Sequence, residues 1–179
     1  MINERSVVGL AADRASAFAT LAAQHLEGSY RLAGLILRDE TEAQDATHDA
    51  FVIAWRSWST LRDPGRFEAW FGRILVNVCR DRIRRRQRRM VTDISRDLPS
   101  ASGDFVTPIA NRELLARAFV RLTPDHRIVV VLRFYLDLSI DQIADRVGVP
   151  SGTVKSRLHH AVRELGLALA ANEDGEPAR

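Results

Sequence analysis

The sequence predicts an all-α protein made of two small helical domains joined by a flexible linker, and three observations carry that expectation. Apolar residues recur at the i, i+3, i+4, i+7 spacing of a helix through most of the chain, whereas strand alternation never holds for long. Between Thr92 and Ala110 (TDISRDLPSASGDFVTPIA) this period vanishes, and Pro, Ser, Gly and Asp accumulate instead. Beyond the break, two helical patterns flank a short turn containing Gly148, the layout of a helix-turn-helix. The expected units are residues 1–91, a linker over 92–110, a second domain over 111–171, and an acidic, disordered tail over 172–179. Fully extended, such a linker spans up to roughly 60 Å, enough for the domains to act on separate sites of one target.

Four helices are expected in the first domain. The first two cover about Arg14 to Glu27 and Ser29 to Leu37. A third starts near Asp39 and places Ala43, Ala46, Ala50, Phe51, Ala54 and Trp58 on its core face, leaving Glu42, Asp45, Asp49, Val52 and Arg56 outside. Asp63-Pro64-Gly65 marks a turn in the loop that follows. The fourth helix, Arg66 to about Arg89, has a core stripe of Phe67, Trp70, Phe71, Ile74, Leu75 and Val78, opposite a polar side with Arg73, Asn77, Arg80, Asp81 and Arg84. It ends in RIRRRQRR, six arginines in eight residues, which reads as a polyanion-binding run within a chain of net charge only +3.

The second domain opens with a helix from Asn111 to about Leu122. Thr123-Pro124 then supplies a cap and a proline at the first helical position, starting a helix to about Tyr135. The β-branched run Ile128 to Leu132 favours a strand, but the cap and the helical neighbours outweigh it. Ser139 and Gln142 fit a capping box. Ile140, Ile143, Ala144 and Val147 then face inward until Gly148, a natural left-handed stop. In the last helix Val154, Leu158, Ala161 and Leu165 form the packed stripe, so Lys155, Ser156, His159, His160 and Arg163 face away. Small, polar and cationic residues near a helix N-terminus suit base edges and phosphates in a major groove.

Composition narrows the class further. No apolar run approaches the roughly 20 residues of a membrane span, and the first residues mix charges where a signal peptide has an apolar core. A cytoplasmic protein without membrane contact of its own is therefore expected. The single cysteine, Cys79, allows no intrachain disulfide and reads as core filler. Glu42, Asp45, His48 and Asp49 crowd one helix, and Asp45 with His48 has the spacing of half a di-iron site, but no second such pair occurs on any other expected helix. Neighbouring His159 and His160 point about 100° apart and do not make a metal pair. No enzyme activity, metal or cofactor is expected, and a helical metalloenzyme is the remote alternative.

These residues resemble a known family, the extracytoplasmic-function sigma factors of bacterial RNA polymerase. The segments EAQDATHDAFVIAWRSW and FEAWFGRILVNVCRDRIRRR resemble the family's region two, and LDLSIDQIADRVGVPSGTVKSRLHHAVREL resembles its region four, in the family's order. The resemblance implies that Asp45, Asp49, Val52 and Arg56 grip the β′ clamp coiled coil of core RNA polymerase, and that region four meets the β flap. It implies that Thr60, Leu61, Arg62 and Arg66, with Trp70, Asn77, Arg80 and Asp81, hold unpaired bases of the minus-ten element. Arg82, Arg84, Arg85 and Arg86 would hold its phosphates. Thr153, Lys155, Ser156, Arg157, His159, His160 and Arg163 would meet the minus-thirty-five element in duplex promoter DNA. His160 stands where the family usually has an arginine, which removes a fixed charge and a bidentate donor. An anti-sigma factor is a further partner the resemblance implies. The other reading is a freestanding helix-turn-helix regulator, which would bind DNA tightly without polymerase and as a symmetric dimer.

Overall fold

The computed structural model describes residues 4–92 and 116–173 along the backbone, and the side chains of 14–89 and 116–170. Six helices are labelled here: α1 (Glu4–Leu37), α2 (Glu40–Ser57), α3 (Phe67–Thr92), α4 (Pro124–Phe134), α5 (Ile140–Val147) and α6 (Ser151–Glu173). Two single 3-10 turns, Trp58–Thr60 and Pro64–Arg66, lie between α2 and α3. A helical stretch over 116–121 precedes α4, and no strand occurs among the described residues.

The two helices expected over 14–37 are one. Gly28-Ser29 reads as a break, but Ser29 Oγ donates to the His25 carbonyl at 2.6 Å, so the hydroxyl is absorbed within the helix. Burial of Leu32, Ala33, Ile36 and Leu37 then anchors the C-terminal turns. Arg38, in the left-handed region at φ 59°, ends the helix, and Asp39 caps α2 by accepting from the Glu42 amide at 3.0 Å. The other signals fall where expected. Thr123 caps α4 with Pro124 at its first position, Ser139 and Gln142 form the capping box of α5, and Gly148 sits at φ 70°. At the linker and tail the boundaries shift: Thr92 is still helical, and so are Asn172 and Glu173. The rest of the expected linker and tail, and residues 111–115 of the expected helix, lie outside the described residues.

Aromatic packing holds α1, α2 and α3 together. Phe71 stacks on Phe51 at 4.3 Å and on Phe67 at 5.4 Å, and Phe18 meets Trp55 and Trp58 edge-on. The core does not stop there. One continuous cluster runs from Leu32, Ile36, Phe67 and Leu75 into Ile128, Leu132, Ile143 and Val154 of the second half. The sequence stripe on α3 omitted Val76, which is fully buried. Gly72, Val76 and Arg80 follow at four-residue steps on a second face of α3, the one turned toward α5. There the Arg146 guanidinium lies 2.8 Å from where a Cβ on Gly72 would stand. Arg80 donates to the Val147 carbonyl at 3.0 Å. From α4, Arg127 donates to the carbonyls of Ile36 at 3.0 Å and Leu122 at 3.2 Å. A buried cation needs such acceptors, because an unpaired charge out of water is costly.

Candidate nucleic-acid interface

The first candidate surface is the polar side of α3 with the loop before it. Trp70, Arg73, Asn77, Asp81 and Arg84 succeed one another at steps of three and four, so they line one stripe. All are exposed except Trp70, which is half-buried. In the loop Thr60, Arg62 and Arg66 are exposed and Leu61 is half-buried. Local bonds shape it: Thr60 Oγ1 donates to the Ser57 carbonyl at 2.7 Å, and Asp63 Oδ1 accepts from the Gly65 amide at 2.9 Å. Trp70 packs against Trp58 at 6.3 Å and Phe67 at 6.0 Å, so its ring is held at one end of the stripe. An anchored aromatic followed by an exposed amide suits a base taken out of its stack. Arg85 is exposed beside the stripe.

Two arginines of this set are placed otherwise than the sequence suggests. Arg80, only 14% exposed, turns to the seam between the halves, where its Nε lies 3.7 Å from Asp125. Arg82 points not to a nucleic acid but across to α2, 2.7 Å from Glu42, 2.6 Å from Asp49 and 3.7 Å from Asp45. Its position, 120° round the helix from Trp70, decides this. Burial alone would pull the Arg82 guanidinium down, but its hydrogen bonds to Asp49 and Glu42 outweigh that and hold it above its ordinary value.

On α2, Asp45, Asp49, Val52 and Arg56 share one stripe at i, i+4, i+7 and i+11. Val52 is half-buried and the other three are exposed, with Arg82 facing the two acids. Among the described residues no group of three or more His, Cys, Asp and Glu is arranged to hold a metal ion. No helix among them is long and apolar enough to cross a membrane.

The second surface is the N-terminal half of α6. Lys155, Ser156, His159, His160 and Arg163 are exposed on the side away from buried Val154 and Ala161, and Thr153 is half-buried. Ser156 Oγ donates to the Thr153 carbonyl at 3.0 Å, leaving its lone pairs outward. His160 stacks against His126 at 6.2 Å, and His126 Nδ1 lies 3.2 Å from Glu164. Arg157 departs from the set: it lies 2.6 Å from Asp125 and is mostly covered. Sequence reading missed Asp125, Arg127 and Arg146, which tie the halves together. A lone charge next to an apolar run, as at Arg127, is the signal that marks such a residue. Phe134, 68% exposed, lines a shallow hollow with Arg133, Val162 and Arg163 against the middle of α6.

Comparison with known proteins follows the same two surfaces. The family model for Sigma-70 region 2 matches residues 21–89, and that for Sigma-70, region 4 matches residues 112–165. The chain is 34% identical to the ECF RNA polymerase sigma factor SigL of Mycobacterium tuberculosis over 91% of its own length and 94% of the relative's. Among solved structures it is similar to the sigma factor RpoE of Bartonella quintana, determined in complex with the anti-sigma factor NepR. That match has a TM-score of 0.72 and 22% identity, covering 86% of this chain and 96% of that one. It is also similar to CnrH, determined in complex with the cytosolic domain of CnrY, with a TM-score of 0.61 and 29% identity over 90% and 96% of the two chains.

Proposed function

The chain belongs to the extracytoplasmic-function sigma factors of the sigma-70 family, and from that premise we propose how its residues divide the work of promoter recognition. The α2 stripe of Asp45, Asp49, Val52 and Arg56 docks on the β′ clamp coiled coil of core RNA polymerase, and the second half meets the β flap. The loop residues Thr60, Leu61, Arg62 and Arg66, with Trp70, Asn77, Asp81, Arg84 and Arg85, hold the opened minus-ten strand, while Arg80 serves the seam between the halves. On α6, Thr153, Lys155, Ser156, His159, His160 and Arg163 serve the duplex minus-thirty-five element, while Arg157 stays paired with Asp125. Residues 1–91 and 111–171 act as the two functional units. The protein's own contribution is recognition and strand capture in the cytoplasm, and catalysis stays with the polymerase. An anti-sigma factor is the expected regulator, as the family resemblance implies.

The observation that carries this reading is the α3 stripe, in which a ring anchored by Trp58 and Phe67 is followed by exposed Asn77, Asp81 and Arg84. An extruded base can stack on an anchored ring and bond an exposed amide on the same stripe, which suits unpaired DNA. The test is reconstitution with core polymerase on promoter fragments and mapping of transcript starts. Initiation at discrete sites is expected, and failure to bind core polymerase would sink the proposal. Asn77→Ala should reduce promoter opening, read with permanganate, by about tenfold while duplex binding changes little, since a lost base contact costs about 1–3 kcal/mol. Equal losses in both assays would remove Asn77 from the opened strand.

A further inference from the structure

Glu42, Asp45 and Asp49 are spaced three and four residues apart on α2, so their carboxylates are neighbours on one side of the helix. Like charges at that spacing repel, and such side chains left free in water spread over several rotamers. One guanidinium from α3 answers all three. Arg82 Nη1 donates to Glu42 at 2.7 Å and lies 3.7 Å from Asp45, while Nη2 donates to Asp49 at 2.6 Å. The Arg82 side chain is 19% exposed, whereas the three acidic side chains are 42–62% exposed. The cation therefore sits behind the acids, and they remain open toward solvent. A carboxylate has about four lone-pair sites, and Arg82 engages one oxygen of Asp49, so the other is left for a partner.

We propose that Arg82 is a positioning residue for polymerase docking: from behind α2 it fixes Asp49 by a hydrogen bond and draws Asp45 by charge, so that both carboxylates stand ordered before core polymerase arrives. The inference rests on the assignment of the α2 stripe to the β′ clamp coiled coil made above. Side chains that become ordered only on binding cost affinity, and this contact supplies the order beforehand. Charge balance fits the same role, because three acids set against one cation leave a net negative face for a cationic partner surface. A lysine does not substitute, since an ammonium is a point charge without the planar fork that spans two carboxylates. Arg82 thus belongs to the basic run in sequence but to the docking face in space.

The test is the affinity of the full chain for core polymerase, measured by titration at fixed salt, with circular dichroism confirming that each variant is folded. Arg82→Met keeps the apolar stem and removes the fork, and should weaken binding about three- to tenfold. Arg82→Lys keeps the charge and should bind about two- to threefold more weakly than wild type, which also covers the case of a methionine variant that does not fold. A double-mutant cycle with Asp49→Asn separates positioning from mere stability. In the Asp49→Asn background the loss caused by Arg82→Met should shrink below about twofold, because the carboxylate that Arg82 orders is gone. Three results would overturn the proposal: a folded Arg82→Lys that binds as wild type does, a loss of equal size in both backgrounds, or tighter binding by Arg82→Met. The last would mean that Arg82 competes with polymerase for the acids. A wild type that does not bind core polymerase at all would instead remove the docking assignment itself, so the two failures are told apart.

Discussion

Arg82 and Arg84 stand two residues apart in the same basic run and have different surroundings. Arg84 is exposed, with Asp81 at 3.9 Å, whereas Arg82 is largely covered and has Glu42 and Asp49 within 2.7 Å. An exposed pair is worth little, but two charge-assisted bonds from a covered guanidinium are worth more. Arg82→Ala should therefore lower unfolding free energy by about 1–2 kcal/mol and Arg84→Ala by less than about 0.5 kcal/mol, compared by urea titration. The sequence displayed the run but not this division. Counting arginines shows affinity for polyanions, while angular position against the acids of another helix decides which arginine is available. Cys79 was legible, as a buried filler on an apolar stripe. Burial pushes its thiol up from the ordinary 9.0 to about 12, against the weaker pull of Arg82. Because the folded value is the higher, the neutral thiol adds stability that is complete below about pH 9 and is lost as pH rises through about 12. Near pH 8 the folded chain should react with a thiol reagent about a thousandfold more slowly than the unfolded chain, from thiolate population alone. Rapid labelling of the native protein would contradict the burial.

Among the elements, those with a local stop or start chemistry were readable and those without were not. The capping box at Ser139 and the left-handed Gly148 set the bounds of α5 whatever the tertiary context, so the helix-turn-helix was found from its residues. The long α1 was split because Gly28-Ser29 resembles punctuation, yet burial of the C-terminal turns determines the outcome. This gives opposite signs for two substitutions. Ser139→Ala should cost about 1 kcal/mol, since the Gln142 amide loses its acceptor. Gly28→Ala should add about 0.5–1 kcal/mol, because a new methyl meets nothing within 4 Å and the helix interior gains a better former. A loss of stability in Gly28→Ala would mean that the helix breaks there after all.

At the scale of the whole molecule the seam was the least legible feature. Each half shows its own periodicity, and nothing in Gly72, Val76 and Arg80 on one helix or Arg146 on another announces that they meet, since the pairing spans more than sixty residues of chain. The shared core has a thermodynamic consequence that the positions of the tryptophans make measurable. All three, Trp55, Trp58 and Trp70, lie in the first half, so their fluorescence reports that half alone, whereas far-ultraviolet circular dichroism reports the helices of both. With one continuous core the two probes should give coincident thermal transitions. The sharper form of this uses Gly148, which lies in the second half at φ 70°, where a side chain is strained. Gly148→Ala should cost about 1–2 kcal/mol and lower the midpoint by about 2–8 °C, and the tryptophan signal should move with it although the first-half atom that a Cβ there meets, at 4.0 Å, is on Arg73 and not on a tryptophan. A circular dichroism transition that splits, with the fluorescence midpoint unmoved, would show two halves that unfold independently. The apolar contacts shared across the seam would then be too few to couple the halves into one cooperative unit.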